Sequence, residues 1–284
     1  MYRRSERGEA IGRELKAKVE AATDFEDIYY HLREGGHVAA LHAHRDHRYF
    51  ARADIERFFY GIGRNRVARD LYAIGIEKAG YLAKWSCVKN PFGQPRYALP
   101  YGFVQSPILA TLVLMRSGVG AFLRGLPENV TASVYMDDIA LSSDDAEALQ
   151  AAYAGLRAAL EESNFAINEN KAHGPDEAIE LFNCSLSQRF ASVLQARRDE
   201  FFAKEDRSVA SLTAFVRYCD KVEQGNAPLP DPPQPPLPRR DRPSLGGPQG
   251  QPPPHHPRGS LGGSADKTCR AEPKEEGRPR LRRL

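Results

Sequence analysis

Apolar and polar positions fall into blocks along this chain that are regular enough to draw elements from. Val130-Thr131-Ala132-Ser133-Val134 and Ile139-Ala140-Leu141-Ser142-Ser143 are short runs of β-formers joined by Tyr135-Met136-Asp137-Asp138, which predicts two strands and a tight hairpin. Tyr49-Phe50-Ala51-Arg52-Ala53-Asp54 alternates as a strand with Phe50, Arg52 and Asp54 on one face. Leu149, Tyr153, Leu156 and Leu160 recur at helical spacing. Ser106 as N-cap and Pro107 as first helical residue open an apolar helix running towards Met115. Phe201 to Tyr218 reads as helical, with Phe202, Val209, Leu212, Phe215 and Val216 available for packing.

From about residue 227 the pattern stops. Fifteen of the chain's 21 prolines lie there, among Gly, Arg and scattered Leu, so residues 227–284 are expected to be a disordered Pro/Gly/Arg-rich tail. The tail holds 11 Lys and Arg against 6 Asp and Glu, whereas residues 1–226 hold 29 against 31, so the net charge of +3 belongs to the tail. A globular part of net charge −2 grips phosphate only through a local basic cleft, the tail or an RNA cofactor. No run approaches the roughly 20 apolar residues of a membrane span, and Met1-Tyr2-Arg3-Arg4-Ser5 leads into a charged helix without a signal-peptide core. The four cysteines are scattered and are read as reduced, which points to the cytoplasm.

Candidate chemistry sits at the hairpin. Adjacent carboxylates about 4 Å apart repel by roughly 4 kcal/mol at an effective dielectric near 20, and a structural turn would use Asn-Gly or Asp-Gly instead. Something cationic is expected beside Asp137 and Asp138. The later doublet Asp144-Asp145 is an internal control: Asp144 with Glu147 three residues on is a capping-box-like start of the next helix. If the Asp54 strand lies beside the hairpin, Asp54 and Asp137 can share a divalent cation. Magnesium suits them, since it takes one or two carboxylates and completes its shell with water and phosphate. Taken alone, Asp54 could equally pair with Arg52 or Arg57. Five histidines, His31, His37, His42, His44 and His47, crowd one segment without a Cys-x-x-Cys, at a spacing that fits no standard zinc site.

Between the acidic strands lies Leu99-Pro100-Tyr101-Gly102-Phe103-Val104-Gln105-Ser106-Pro107-Ile108-Leu109-Ala110-Thr111-Leu112. The order of blocks resembles the palm of a reverse transcriptase. Asp54 with Phe58-Phe59 matches motif A, Leu99 to Leu112 motif B, and Tyr135 to Asp138 the Tyr-x-Asp-Asp box of motif C. Asn164-Phe165-Ala166-Ile167-Asn168-Glu169-Asn170-Lys171 resembles motif D and Leu181-Phe182-Asn183-Cys184-Ser185-Leu186 the following motif E. The resemblance covers roughly residues 30 to 190 and is nearest to bacterial retron, group II intron and phage-defence enzymes.

The resemblance implies an α+β right-hand polymerase with an antiparallel palm sheet: fingers and palm over residues 1–190, short fingers, a reduced helical thumb over 191–226, then the tail. It implies an RNA-directed DNA polymerase using two magnesium ions, with manganese as a substitute, on an RNA template, a DNA or RNA primer and deoxynucleoside triphosphates. A structured RNA or protein partner is compatible with it. Asp54 and Asp137 would bind metal directly, Asp138 would support the metal near the primer end, and the carbonyl of Ile55 would add an oxygen. Lys171 would donate a proton to the leaving pyrophosphate. Phe59 matches the position that excludes a ribose 2′-hydroxyl. Tyr101, Gly102, Gln105 and Arg52 would meet the nucleotide, and Arg33, Arg45, Arg48, Lys89 and Arg96 are further candidates for phosphate contact.

Two departures stand out. Tyr101 occupies the place where the family usually has Gln between Pro and Gly, and a phenol lacks an amide's paired donor and acceptor. Fewer than 55 residues precede Asp54, which leaves the fingers small. A polymerase that adds nucleotides without a normal template, or an inactive palm that binds RNA or a partner as a scaffold, are the alternatives.

Overall fold

The computed structural model describes residues 5–204 and 206–227. The expected tail lies outside the described residues. In chain order the elements are α1 (Glu6–Ala22), a short 3-10 helix (Tyr30–Leu32), α2 (Gly36–His44), β1 (Tyr49–Asp54), α3 (Phe58–Gly61), α4 (Arg64–Ala73) and α5 (Ala79–Ser86). There follow β2 (Val88–Lys89), β3 (Tyr97–Ala98), α6 (Ser106–Met115), α7 (Gly118–Arg124), β4 (Thr131–Tyr135), β5 (Asp138–Ser143) and α8 (Ala146–Glu162). The last are β6 (His173–Asp176), β7 (Ala178–Leu181), β8 (Cys184–Ser187), β9 (Phe190–Val193), α9 (Gln195–Phe202) and α10 (Val209–Glu223).

The central sheet is antiparallel, in the order β4-β5-β1-β6. Its alternation sends side chains to two cores, as a period of two requires. Ala51 and Ala53 of β1 face the larger core, which packs on α6 and α8, while Phe50 faces a smaller one shared with β7, β8, β9 and α10. Helix α6 is buried almost throughout, from Ile108 to Leu114, within the larger core, with α1, α3, α4 and α7 packed around it. Among the described residues no single helix is long and apolar enough to cross a membrane, although the bent pair α6 and α7 approaches that composition. The mixture of helices and antiparallel sheets is the expected α+β class.

Several local expectations are corrected. Gln105, not Ser106, is the N-cap of α6, and the Ser106 hydroxyl is buried without a partner. Asp145, not Asp144, caps α8 by accepting from the amides of Glu147 and Ala148, while Asp144 accepts from the Arg48 amide. The segment from Phe201 to Tyr218 is not one helix: α9 ends at Phe202 and α10 starts at Val209 under a Ser208 cap. The break folds α10 back so that Phe215 stacks on Phe201, with ring centroids 3.8 Å apart.

Candidate active site

Register builds the site. The β1–β5 ladder pairs Asp54 with Asp138, and the β4–β5 ladder pairs Tyr135 with Asp138, leaving Met136 and Asp137 as a two-residue connection. Met136 adopts φ 60°, a left-handed conformation that glycine usually supplies in such turns and that costs another residue on the order of 1 kcal/mol or more. The turn is held from both sides. The Ile55 amide donates to the Asp137 carbonyl at 2.9 Å. The Met136 amide donates to His31 Nδ1 at 3.1 Å.

His31 is a residue that sequence reasoning missed. The Thr111 hydroxyl donates to the Pro107 carbonyl, so His31 Nε2 donates to Thr111 Oγ1 at 2.6 Å and Nδ1 is left to accept from Met136. The ring is therefore neutral and ties the acidic turn to α6. Burial holds its pKa down to about 4. The only signal in the sequence was its place in the histidine-rich segment, and the other four have structural partners too. His44 is buried between the hydroxyls of Ser133 and Ser142, at 2.7 Å each, and His42, His47 and His37 meet the Val222 carbonyl, Thr131 Oγ1 and the Tyr218 hydroxyl.

The motif D segment closes the other side of β1. Glu56 donates its amide to Ala166, and Asn168 donates to the Asp54 carbonyl, both at 2.8 Å. This brings Lys171 Nζ to 2.9 Å from Asp54 Oδ2. Asp54 is only 2% exposed. Its cation is thus Lys171 and not Arg52 or Arg57. Arg52 instead donates from Nε to Asp138 Oδ1 at 3.1 Å and from Nη1 to the Glu180 carbonyl at 2.8 Å. The cationic neighbour that the acidic turn demanded is present twice.

Burial pushes the Asp138 carboxyl up to about 6 against the pull of Arg52. Asp137 is raised as well, by burial and by the charge of Asp54, and Lys171 is raised by its hydrogen bond to Asp54. Hard oxygen donors gathered at one point, with the ionised forms of Asp137 and Asp138 disfavoured, suit a dication chemically. In the present arrangement, however, no group of three acidic, His or Cys side chains among the described residues is poised as a ready metal cage. Lys171 and Arg52 hold two of the donors. Metal entry therefore means exchanging those ion pairs.

The other expected site residues divide. Phe59 lies 6.0 Å, centroid to centroid, from Tyr101 in an edge-to-face contact, and Tyr101 is 69% exposed. Gly102 has φ 90°, with open space where a Cβ would stand. Gln105 is not brought to this group: it is 1% exposed, its Nε2 lies 3.4 Å from Ser86 Oγ, and its side chain fills the space over Gly12. Arg33, Arg45 and Arg48 are used on the Asp27 carbonyl, the Gln224 carbonyl and Glu177. Tyr135 packs among His31, His37 and Phe182, the last at 5.3 Å. Phe182 and Asn183, both at positive φ, form the β7–β8 turn.

Comparison with protein-family models matches residues 8–180 to the family described as reverse transcriptase (RNA-dependent DNA polymerase). Among solved structures, the chain is similar to a foamy viral protease-reverse transcriptase in complex with double-stranded DNA, at 17% identity and a TM-score of 0.43, covering 65% of this chain and 29% of that one. It is also similar to the foamy viral protein in complex with an RNA/DNA hybrid, at 18% identity and a TM-score of 0.42, over 63% of this chain and 22% of that one. A telomerase from Candida albicans in complex with a fragment of telomeric RNA is similar at 12% identity and a TM-score of 0.47, over 63% and 36%. The chain thus spans well under half the length of each. A comparison with curated proteins found no match. The family match covers more than half of the sequence and contains Asp54, Asp137, Asp138 and Lys171, and the chain belongs to the reverse transcriptase family.

Proposed function

We propose that this protein synthesises DNA on an RNA template. The observation that carries the reading is the convergence of Asp54, Asp137 and Asp138 at one end of the central sheet, Asp54 buried and paired in register with Asp138, and Asp137 half-buried in the adjoining turn. Asp54, Asp137 and Asp138, with the Ile55 carbonyl, would hold two magnesium or manganese ions, which when bound supply activation of the primer hydroxyl and neutralisation of the leaving pyrophosphate. In the reaction the primer 3′-hydroxyl gives up its proton to solvent as its oxygen bonds to the α-phosphorus, and the bond from that phosphorus to the oxygen bridging the β-phosphate breaks. Lys171, protonated and within reach of Asp54, donates a proton to the departing pyrophosphate. Phe59, with Tyr101 against it, walls the sugar side and favours deoxynucleotides. A setting in a retroelement or in phage defence rests on the motif resemblance alone.

The two ion pairs favour one second reading, an inactive palm serving as an RNA-binding scaffold, in which Lys171 and Arg52 neutralise the carboxylates permanently. Incorporation of deoxynucleotides on a primed RNA template with magnesium separates the two. Wild type is expected to extend the primer and the Asp137→Ala, Asp138→Ala variant to lose about a thousandfold or more, the equivalent of several kcal/mol. RNA binding without extension by either protein would favour the scaffold.

A further inference from the structure

A cavity of about 1400 Å³ opens between α3, α4, the β2–β3 connection, the α6–α7 turn and the end of α8. Its wall includes Ile55 and Glu56, yet none of Asp54, Asp137, Asp138 and Lys171 lines it. Six arginines do, Arg57, Arg64, Arg66, Arg69, Arg96 and Arg116, against the acids Glu56, Asp70 and Glu162. This is a local excess of positive charge on a globular part that is acidic overall.

The charges are unevenly satisfied. Buried Asp70 takes Arg69 at 3.1 Å and Arg116 at 3.7 Å, and Arg57 lies 3.3 Å from Glu56. Arg64, Arg66 and Arg96 form no ion pair among the described residues and lie instead on aromatic rings. Arg64 and Arg96 sit over Tyr97 at 4.6 and 5.5 Å, and Arg66 over Phe165 at 4.5 Å. Burial and the neighbouring Arg69 hold the Arg66 guanidinium below its ordinary value, against the weaker pull of Asp70. Phe92, also in the lining, is 50% exposed and carries the Arg57 guanidinium over its ring at 4.2 Å. Arginines interleaved with rings along a groove are what a single strand needs, phosphates on the cations and bases on the π-faces. The volume exceeds the roughly 300 to 1000 Å³ of a small-molecule pocket, which favours a strand over a free nucleotide.

We propose that this cavity binds a single-stranded nucleic-acid segment, with Arg64, Arg66 and Arg96 on its phosphates and Phe92 under a base. The site is separate from the carboxylates and does not rest on their catalysing polymerisation, so binding is measured without turnover. The test is fluorescence anisotropy of a labelled single-stranded oligonucleotide with the full chain across a salt series. Arg64→Gln with Arg96→Gln is expected to weaken binding about fivefold or more and to lower the salt slope by about 1.4, at about 0.7 per phosphate contact. The Lys pair at the same positions is expected to restore the slope. Phe92→Ala, which removes an exposed ring and carries the test if the arginine variant does not fold, is expected to weaken binding with the slope unchanged. Affinity and slope unaltered in the folded variants would overturn the proposal. Competition by inorganic tripolyphosphate as strong as that of an unlabelled strand at equal phosphate would overturn the strand in favour of a free polyphosphate.

Discussion

Asp137 carries a pKa raised by burial and by the charge of Asp54, and the sign of the consequence follows from linkage. A carboxyl whose folded pKa lies above its unfolded value contributes most below the unfolded pKa and loses that contribution as pH rises through the folded one. At neutral pH its ionised form therefore costs stability. Asp137→Asn is expected to raise the melting temperature of the metal-free protein near about pH 8, with the gain vanishing by about pH 4, while abolishing primer extension. A melting temperature lower in the variant at both pH values would show that the carboxylate is an ordinary structural acceptor. Phe59 is half-buried between Phe58 and Tyr101, so truncation opens space on one side only. Phe59→Ala is expected to raise ribonucleotide relative to deoxynucleotide incorporation by about tenfold or more, since a filled wall discriminates through the contacts it denies. An unchanged ratio in single-nucleotide kinetics would return Phe59 to core packing.

At the scale of elements, helix α2 docks on the central sheet through imidazoles rather than through apolar side chains alone. His44 lies 1% exposed between Ser133 of β4 and Ser142 of β5, with its pKa pushed down to about 3 by burial first and His47 second. Its stabilising contribution is present above the unfolded value of about 6.5 and is lost as pH falls from there towards about 3. Urea titrations are expected to show stability declining over that window, and His44→Leu to flatten the decline while costing about 2 kcal/mol at neutral pH for the two unpaired hydroxyls. His31 makes the comparable link from the acidic turn to α6. Such links show in the sequence only as a cluster of histidines, because their partners lie roughly 80 to 100 positions away in the chain.

At the scale of the whole described region, the proposed polymerase has little positive charge with which to hold its nucleic acid. Residues 1–226 are net acidic, three of the arginines expected to meet phosphate are used internally, and only α9 and α10 follow the last strand. An affinity built on few phosphate contacts is low at the outset, and each contact still loses about 0.7 to 0.9 log units per tenfold rise in salt. In a single-encounter extension assay with a trap, the chain is expected to add short tracts that shorten further as salt rises; long products insensitive to salt would contradict this.

Sequence alone determined β1, β4 and β5, the hairpin, the buried helix α6 and the order of acidic blocks, though not the strands β6 to β9, because alternation, apolar runs and capping chemistry act over a few residues. Its errors were also local: Ser106 for Gln105 and Asp144 for Asp145 are one-residue slips between adjacent residues able to stand at a helix start. What only tertiary structure decided was which charge meets which. Arg52 stands two residues from Asp54, yet the register of β1 on β5, which pairs Arg52 with Ala140, makes Asp138 its diagonal neighbour and partner, and the motif D segment delivers Lys171 to Asp54 from 117 positions away. Gln105, six residues before Thr111, is turned towards α1 by the packing of α6. The arginine-lined cavity gathers residues from five elements and their turns, a juxtaposition that no window of sequence contains, since it depends on how packed elements exclude one another rather than on any local preference.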